Sequence, residues 1–284
     1  MRAAVMGSPI SHSLSPPLHR AAYREMGLTG WSYDAFECDE AALPGLLREL
    51  RPVRGDGPGD AGTWAGLSLT MPLKRAVLPL LDTVSEAALE VGGANTVVFS
   101  GGAAQGHNTD VYGIEAALAE AGVPAPRSAT VLGGGATAAS ALAALRNLGL
   151  YEVTLVVRDP SRARETAEVA ERLGVTLTVQ TFDKLDTVLG VDLVVSTLPG
   201  GAADAHADRL AGVPALFDVV YAPWPTRAAA AVEAAGGVVV GGFPMLLHQA
   251  VRQVELMTGR TDVPVEAMRA AGEAEILRRA GRTG

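Results

Sequence analysis

The residues in this chain best placed to do chemistry begin with a glycine-rich turn, Leu132-Gly133-Gly134-Gly135-Ala136-Thr137-Ala138. It fits the pattern G-x-G-x-x-A between the strand-forming run 129–132 and an Ala-rich, helix-forming run. Gly133 permits a tight turn, Gly135 lets the backbone approach a pyrophosphate, and Ala138 allows close packing of helix on strand. The helix start at Ala136 and Thr137 adds unpaired N–H groups and the positive end of a dipole. Gly133, Gly134, Gly135, Ala136, Thr137 and Ala138 are therefore candidate dinucleotide-binding residues. Twenty residues further on, a second strand ends in Arg158-Asp159-Pro160-Ser161-Arg162. An acidic residue at that position favours NAD through the ribose 2′-hydroxyl, whereas an arginine favours NADP through the 2′-phosphate. Asp159 has a structural reading as a helix cap before Pro160. Arg158 and Arg162 have no such structural duty, so the expected cofactor is NADP, with NAD as the alternative.

Four more polar motifs stand out from an Ala- and Leu-rich background: Ser8-Pro9-Ile10-Ser11-His12-Ser13-Leu14-Ser15-Pro16, Leu69-Thr70-Met71-Pro72-Leu73-Lys74, Gly93-Ala94-Asn95-Thr96 and Asn108-Thr109-Asp110. Ser13 and Ser15 can both donate and accept hydrogen bonds, as a polyhydroxylated acid requires. Each also has a plainer reading: Ser15 as a helix cap before two prolines, Asn95 as a turn residue, Asp110 as an N-cap, Lys74 as a solvated lysine.

These residues need elements to hold them. Hydrophobic residues make up 48% of the sequence and charged residues 19%, enough to build sizeable cores. Segments 3–6, 31–38 and 67–70 read as strands alternating with helices at 16–26 and 40–50, and 97–106 as a hairpin turning at Ser100-Gly101-Gly102. Residues 51–62, rich in glycine and proline, read as a mobile surface loop. The pair Pro124 and Pro126 marks a candidate boundary. A second α/β series follows, with strands at 129–132, 153–157, 177–179, 193–196, 216–220 and 238–240, and a helical tail over 245–280. The single cysteine, Cys38, rules out an intrachain disulfide and a cysteine-cluster metal site; a buried apolar role is expected, and no metal. A net charge of −8 argues against nucleic-acid binding. No apolar run reaches the ~20 residues of a membrane span, so a cytoplasmic location is expected.

Taken in order, the motifs resemble the shikimate dehydrogenase family over nearly the whole chain. The pattern S-P-I-x-H-S-x-S-P-x-x-H is met from Ser8 to His19, T-x-P-x-K at Thr70, Pro72 and Lys74, and G-x-N-T-D-x-x-G from Gly106 to Gly113. The family's G-A-x-N-T is met by Gly93, Ala94, Asn95 and Thr96 without its variable position. Asp218-Val219-Val220-Tyr221-Ala222-Pro223 resembles a D-x-x-Y-x-P strand end, and Gly242 through Gln249 resembles G-x-x-M-L-x-x-Q. The resemblance implies an N-terminal α/β substrate domain, residues 1–110 with 245–284 returning to it, plus a Rossmann-type doubly wound dinucleotide-binding domain over 111–244. It implies that Ser13, Ser15, Thr70, Lys74, Asn95, Asp110, Tyr221 and Gln249 bind shikimate or 3-dehydroshikimate. Lys74 and Asp110 would be catalytic, and Gly242 and Met245 would lie against the nicotinamide. The protein would work as a monomer or homodimer. Departures from the family pattern fall at Ser68 and Gly241, where Asn and Asp are frequent, at Val157-Arg158-Asp159 in place of N-R-T, and at Arg227 in place of Pro. Readings left open are an NAD-dependent quinate/shikimate dehydrogenase, an amino-shikimate dehydrogenase, a non-catalytic sensor, and a folate-type dehydrogenase.

Overall fold

The computed structural model describes residues 1–51 and 63–281. The segment expected to be a mobile loop, 51–62, lies outside them except for Arg51. The chain divides into two compact units, Met1–Thr109 with the chain from Gln249 onward, and Asp110–His248.

In the first unit, β1 (Arg2–Gly7), β2 (Ser32–Glu37) and β3 (Trp64–Leu69) run parallel, with β1 in the middle. Between them come α1 (Ser15–Glu25) and α2 (Leu43–Leu50); α3 (Leu73–Ala76) follows β3. Every residue of β3 is buried, as suits a strand covered on both faces. After β4 (Thr83–Val84) and α4 (Glu86–Val91), the sheet turns antiparallel. Here β5 (Thr96–Ser100) and β6 (Ala103–His107) form the hairpin expected from the sequence, and Gly101 and Gly102 supply its turn with φ of 59° and 81°. The sheet order is β2-β1-β3-β5-β6-β4. The two-residue β4 and the short α4 carry too few residues to show a periodicity in sequence.

The second unit opens with α5 (Asp110–Glu120) and is doubly wound. Its strands are β7 (Ala129–Leu132), β8 (Glu152–Val157), β9 (Thr176–Thr181), β10 (Leu193–Ser196), β11 (Ala215–Asp218) and β12 (Val238–Val240), all parallel in the order β12-β11-β10-β7-β8-β9. The order reverses at β7, the switch point where doubly wound sheets bind ligands beyond their strand ends. Helices α6 (Ala136–Asn147), α7 (Arg164–Leu173), α8 (Ala207–Leu210) and α9 (Arg227–Ala234) connect these strands. Leu132, Val156, Val194 and Leu216 meet in one core cluster with Ala228 and Val232 of α9.

The helical tail consists of two helices, α10 (Gly242–Thr258) and α11 (Val265–Ala280). Gly259, at φ 71°, ends the first with its N–H on the Glu255 carbonyl at 2.8 Å, and Pro264 precedes the second. The division between the units falls inside α10. Within the first unit α11 packs against α1.

Candidate active site

The serine pair sits where β1 hands over to α1. The Ser15 N–H donates to Ser13 Oγ at 3.2 Å, while residue 14 precedes the helix without a side-chain cap. Ser15 is therefore the first residue of α1 and not its cap, which corrects the plainer reading. From α11, Arg279 donates to the carbonyls of His12 at 2.7 Å and Ser13 at 3.0 Å, tying down the loop that presents these hydroxyls. Glu275 holds Arg279 at 2.7 Å and Arg278 at 2.6 Å, and these two guanidinium groups pull its carboxyl down to about 2. One turn into α1, the fully buried His19 donates from Nδ1 to the Ser15 carbonyl at 2.9 Å and stacks on Tyr33 at 3.9 Å. Among the described residues its Nε2 has no hydrogen-bond partner, and burial lowers its pKa to about 4. A neutral imidazole fits this place, because a second N–H⁺ would be buried unpaired.

Thr70 and Lys74 flank the end of β3. The Thr70 N–H reaches the Met6 carbonyl at 2.9 Å, and its carbonyl receives Leu73 N–H at 2.8 Å to begin α3. Gly7 faces this corner: a Cβ there would stand 2.3 Å from Thr70 Cγ2 and 2.9 Å from the Met71 carbonyl, so no larger residue fits. The half-buried Lys74 receives Ala94 N–H on its carbonyl at 2.8 Å, which puts the lysine beside the Gly93–Thr96 segment.

Asn95 is 1% exposed and far from a turn residue. Its Oδ1 accepts from Thr109 N–H at 2.8 Å and from Thr96 Oγ1 at 2.9 Å; its Nδ2 donates to Thr109 Oγ1 at 2.9 Å and Gln249 Oε1 at 3.3 Å. Behind this cluster the Tyr33 hydroxyl donates to Ser68 at 2.6 Å, and Ser68 donates to Gln253 Oε1 at 2.7 Å. Gln253 Nε2 in turn donates to the Asn95 carbonyl at 3.2 Å and Thr96 Oγ1 at 3.0 Å. Such a set of buried amides and hydroxyls is tolerable only because its members satisfy one another.

In the second unit, Gly133 adopts φ 101°, a left-handed turn that favours glycine, and a Cβ on it would meet Thr197 Oγ1 at 2.7 Å. A Cβ on Gly134 would meet the Arg162 carbonyl at 2.8 Å, so the turn lies against the segment after β8; Thr166 Oγ1 bonds the Gly134 carbonyl at 2.9 Å from α7. Gly135 has open space where its side chain would be, and α6 begins behind it with no side-chain cap. An open cradle at an uncapped helix N-terminus fits a pyrophosphate. Arg158 and Arg162 are exposed at the end of β8. Asp159 caps the short 3₁₀ turn Pro160–Ala163, accepting from Ser161 N–H at 2.9 Å, and this bond lowers its pKa. The acidic residue thus has a structural occupation, and the arginines fit a 2′-phosphate.

At the end of β11, buried Asp218 accepts from Thr226 Oγ1 at 3.0 Å and Val220 N–H at 3.3 Å, fixing the path of the chain to half-buried Tyr221; burial raises its pKa. Gly242 opens α10 against Val219, whose carbonyl oxygen would lie 2.0 Å from any Cβ, and Met245 is buried one turn later. Ser13, Ser15, Thr70, Lys74, Asn95 and Gln249 thus belong to the first unit, and Asp110, which begins α5, Tyr221, Gly242, Met245 and the glycine turn to the second.

Residues 5–97 match the shikimate dehydrogenase substrate binding domain, and 242–271 the shikimate 5′-dehydrogenase C-terminal domain. Over 99% of its length the chain is 36% identical to shikimate dehydrogenase (NADP(+)) of Thermus thermophilus, covering 98% of that protein. This chain belongs to the shikimate dehydrogenase family. The crystal structure of Mycobacterium tuberculosis shikimate dehydrogenase is similar with a TM-score of 0.85 and 42% identity, over 96% of this chain and 99% of that one. The Thermus thermophilus enzyme in complex with NADP(H) and shikimate is similar with a TM-score of 0.82 and 34% identity, over 96% and 99%.

Against this family background, motif reading passed over four residues that touch the site's polar groups. Thr109 lies inside a quoted motif and was legible as a hydroxyl flanked by Asn108 and Asp110. Gln253 follows Gln249 by four residues and so shares its helix face, a spacing that could have singled it out. Tyr33 and Arg279 carry no local sequence signal, since their partners are 35 and more than 260 residues away.

Proposed function

We propose that this member of the shikimate dehydrogenase family catalyses the reversible, NADPH-dependent reduction of 3-dehydroshikimate to shikimate, a step of aromatic amino-acid biosynthesis. The observation that carries this reading is the buried Asn95–Thr109–Gln249 cluster set beside Lys74, a ready-made array for a polyhydroxylated ring. Residues 1–110 and 245–284 are assigned to substrate, and 111–244 to the dinucleotide.

Bound at Gly133 to Ala138, the nicotinamide cofactor supplies the hydride acceptor or donor. The chain's own residues do the rest. Ser13, Ser15, Thr70, Asn95, Tyr221 and Gln249 orient the hydroxyls and carboxylate of the substrate, which converts binding energy into alignment. Lys74 Nζ takes the proton of the reacting hydroxyl as the ketone forms and returns it in the reverse direction. Asp110 keeps the ammonium group and a substrate hydroxyl in register. Arg158, with Arg162, pairs with the 2′-phosphate, while Gly242 and Met245 border the nicotinamide. The protein is assigned to the cytoplasm as a monomer or homodimer; among the described residues no helix is long and apolar enough to cross a membrane.

The test is an assay of nicotinamide reduction by the purified chain with shikimate, quinate and amino-shikimate, each with NADP⁺ and NAD⁺. Shikimate with NADP⁺ should give the highest kcat/KM. A preference for quinate, for amino-shikimate or for NAD⁺ would replace this reading with the corresponding alternative.

A further inference from the structure

The buried hydrogen bonds behind Gln249 run in one direction, and that direction has a consequence for substrate. We propose that Ser68 and Gln253 are positioning residues that hold Gln249 as a hydrogen-bond donor toward its ligand, selecting an acceptor oxygen at that place. The inference rests on the shikimate reading above for the identity of the ligand.

Two backbone groups anchor this network, because neither can reverse its role. The Asn95 backbone carbonyl only accepts, and the Thr109 backbone N–H only donates. Facing the first, 3.2 Å away, Gln253 must present its Nε2, which also donates to Thr96 Oγ1 at 3.0 Å. Its Oε1 is then directed to Ser68 Oγ at 2.7 Å, so Ser68 donates there and accepts from Tyr33 at 2.6 Å. Tyr33 is fully buried, and burial pushes its phenol well above the usual range despite opposing bonds from Ser68 and Ser15, so it remains a donor. Facing the second fixed group, Asn95 must present Oδ1, which accepts from Thr109 N–H at 2.8 Å and from Thr96 Oγ1 at 2.9 Å. Asn95 Nδ2 is thereby aimed at Thr109 Oγ1, 2.9 Å away, and at Gln249 Oε1, 3.3 Å away. The Thr109 hydroxyl lies 3.4 Å from the same Gln249 oxygen.

Gln249 thus keeps its oxygen inward, and the opposite edge of its amide is the NH₂. Turning any one amide around would set oxygen against oxygen or N–H against N–H among side chains that are all buried. A hydroxyl, ketone or carboxylate can accept from that NH₂; an ammonium group cannot. Gln253 and Ser68 touch no ligand in this scheme and act only through Asn95 and Thr96.

The experiment is steady-state kinetics on the full chain carrying Ser68→Ala or Gln253→Glu, each alone and combined with Gln249→Ala, with thermal melts to establish folding. Gln253→Glu is nearly isosteric but replaces the NH₂ that faces the Asn95 carbonyl with an oxygen. Each single substitution should raise KM for shikimate at least fivefold and change KM for NADP⁺ less than twofold. In the Gln249→Ala background the same substitution should change KM for shikimate less than twofold further, because residues acting through one group are not additive. A folded variant with a smaller rise, an equal rise for NADP⁺, or an effect that multiplies with Gln249→Ala overturns the proposal. If Gln253→Glu does not fold, Ser68→Ala carries the same cycle. A wild-type chain inactive on shikimate overturns both this proposal and the functional reading; an active wild type with flat variants overturns this one alone.

Discussion

Lys74 and Arg158 are the residues whose proposed roles differ most sharply from their bland alternatives. A lysine in an α/β surface turn is ordinarily solvated, yet Lys74 is half-buried and joined by its carbonyl to the Gly93–Thr96 segment. Replacing it with Ala should cut kcat by ~10² or more, the usual contribution of general acid–base catalysis. Stopped-flow or steady-state turnover checks this, and an unchanged kcat would remove Lys74 from the mechanism. Arg158 is exposed while its neighbour Asp159 is occupied as a cap. Arg158→Ala should therefore raise KM for NADP⁺ tenfold or more, equivalent to ~1.4 kcal/mol for one lost phosphate contact, and leave KM for NAD⁺ nearly unchanged. Equal changes for both cofactors would mean that Arg158 does not read the phosphate.

At the scale of elements, the sequence was most legible where chemistry and geometry coincide. The glycine turn between β7 and α6 could be located because each glycine answers a separate steric demand, and the hairpin of β5 and β6 because Gly101 and Gly102 sit at its only turn. Less legible were the elements fixed by distant contacts. Ser15 resembled a cap although Ser13 serves its N–H, whereas the break between the C-terminal helices carries local signals in Gly259 and Pro264. The relay from Tyr33 to Gln253 spans three elements, so no local pattern announced it. Gly242→Ala would drive a Cβ into the Val219 carbonyl at the start of α10 and should destabilise the protein by about 3 kcal/mol in denaturant titration. A loss under 1 kcal/mol would show that this junction can relax. His19, within α1, has a folded pKa of about 4 against an ordinary 6.5. Between those values the unfolded chain binds a proton that the folded chain refuses. Stability is therefore complete above pH 6.5 and falls as pH drops to 4, by about 3 kcal/mol in all. That part of the pH dependence should vanish in His19→Phe, which keeps a ring against Tyr33; an identical slope in both proteins would contradict it.

For the whole molecule, two units with separate cores divide the labour: one is rich in buried amides and hydroxyls, the other carries the glycine turn and an exposed arginine pair. Membership in the shikimate dehydrogenase family joins these halves into one oxidoreductase, and the departures at Ser68, Gly241 and Val157-Arg158-Asp159 bear on the details. Ser68 is absorbed into the relay to Gln253, and Gly241 leaves room for the Trp224 ring, which would lie 3.0 Å from a Cβ there. Val157 and Asp159 flank Arg158 where the family pattern has Asn and Thr, so this segment bears directly on the cofactor. The decisive measurement is therefore the initial rate of shikimate oxidation by the purified chain, followed by nicotinamide absorbance with NADP⁺ and with NAD⁺ over a range of concentrations. NADP⁺ should give robust turnover and a kcat/KM at least tenfold above that with NAD⁺. No reduction of either nicotinamide, or a higher kcat/KM with NAD⁺, would contradict it.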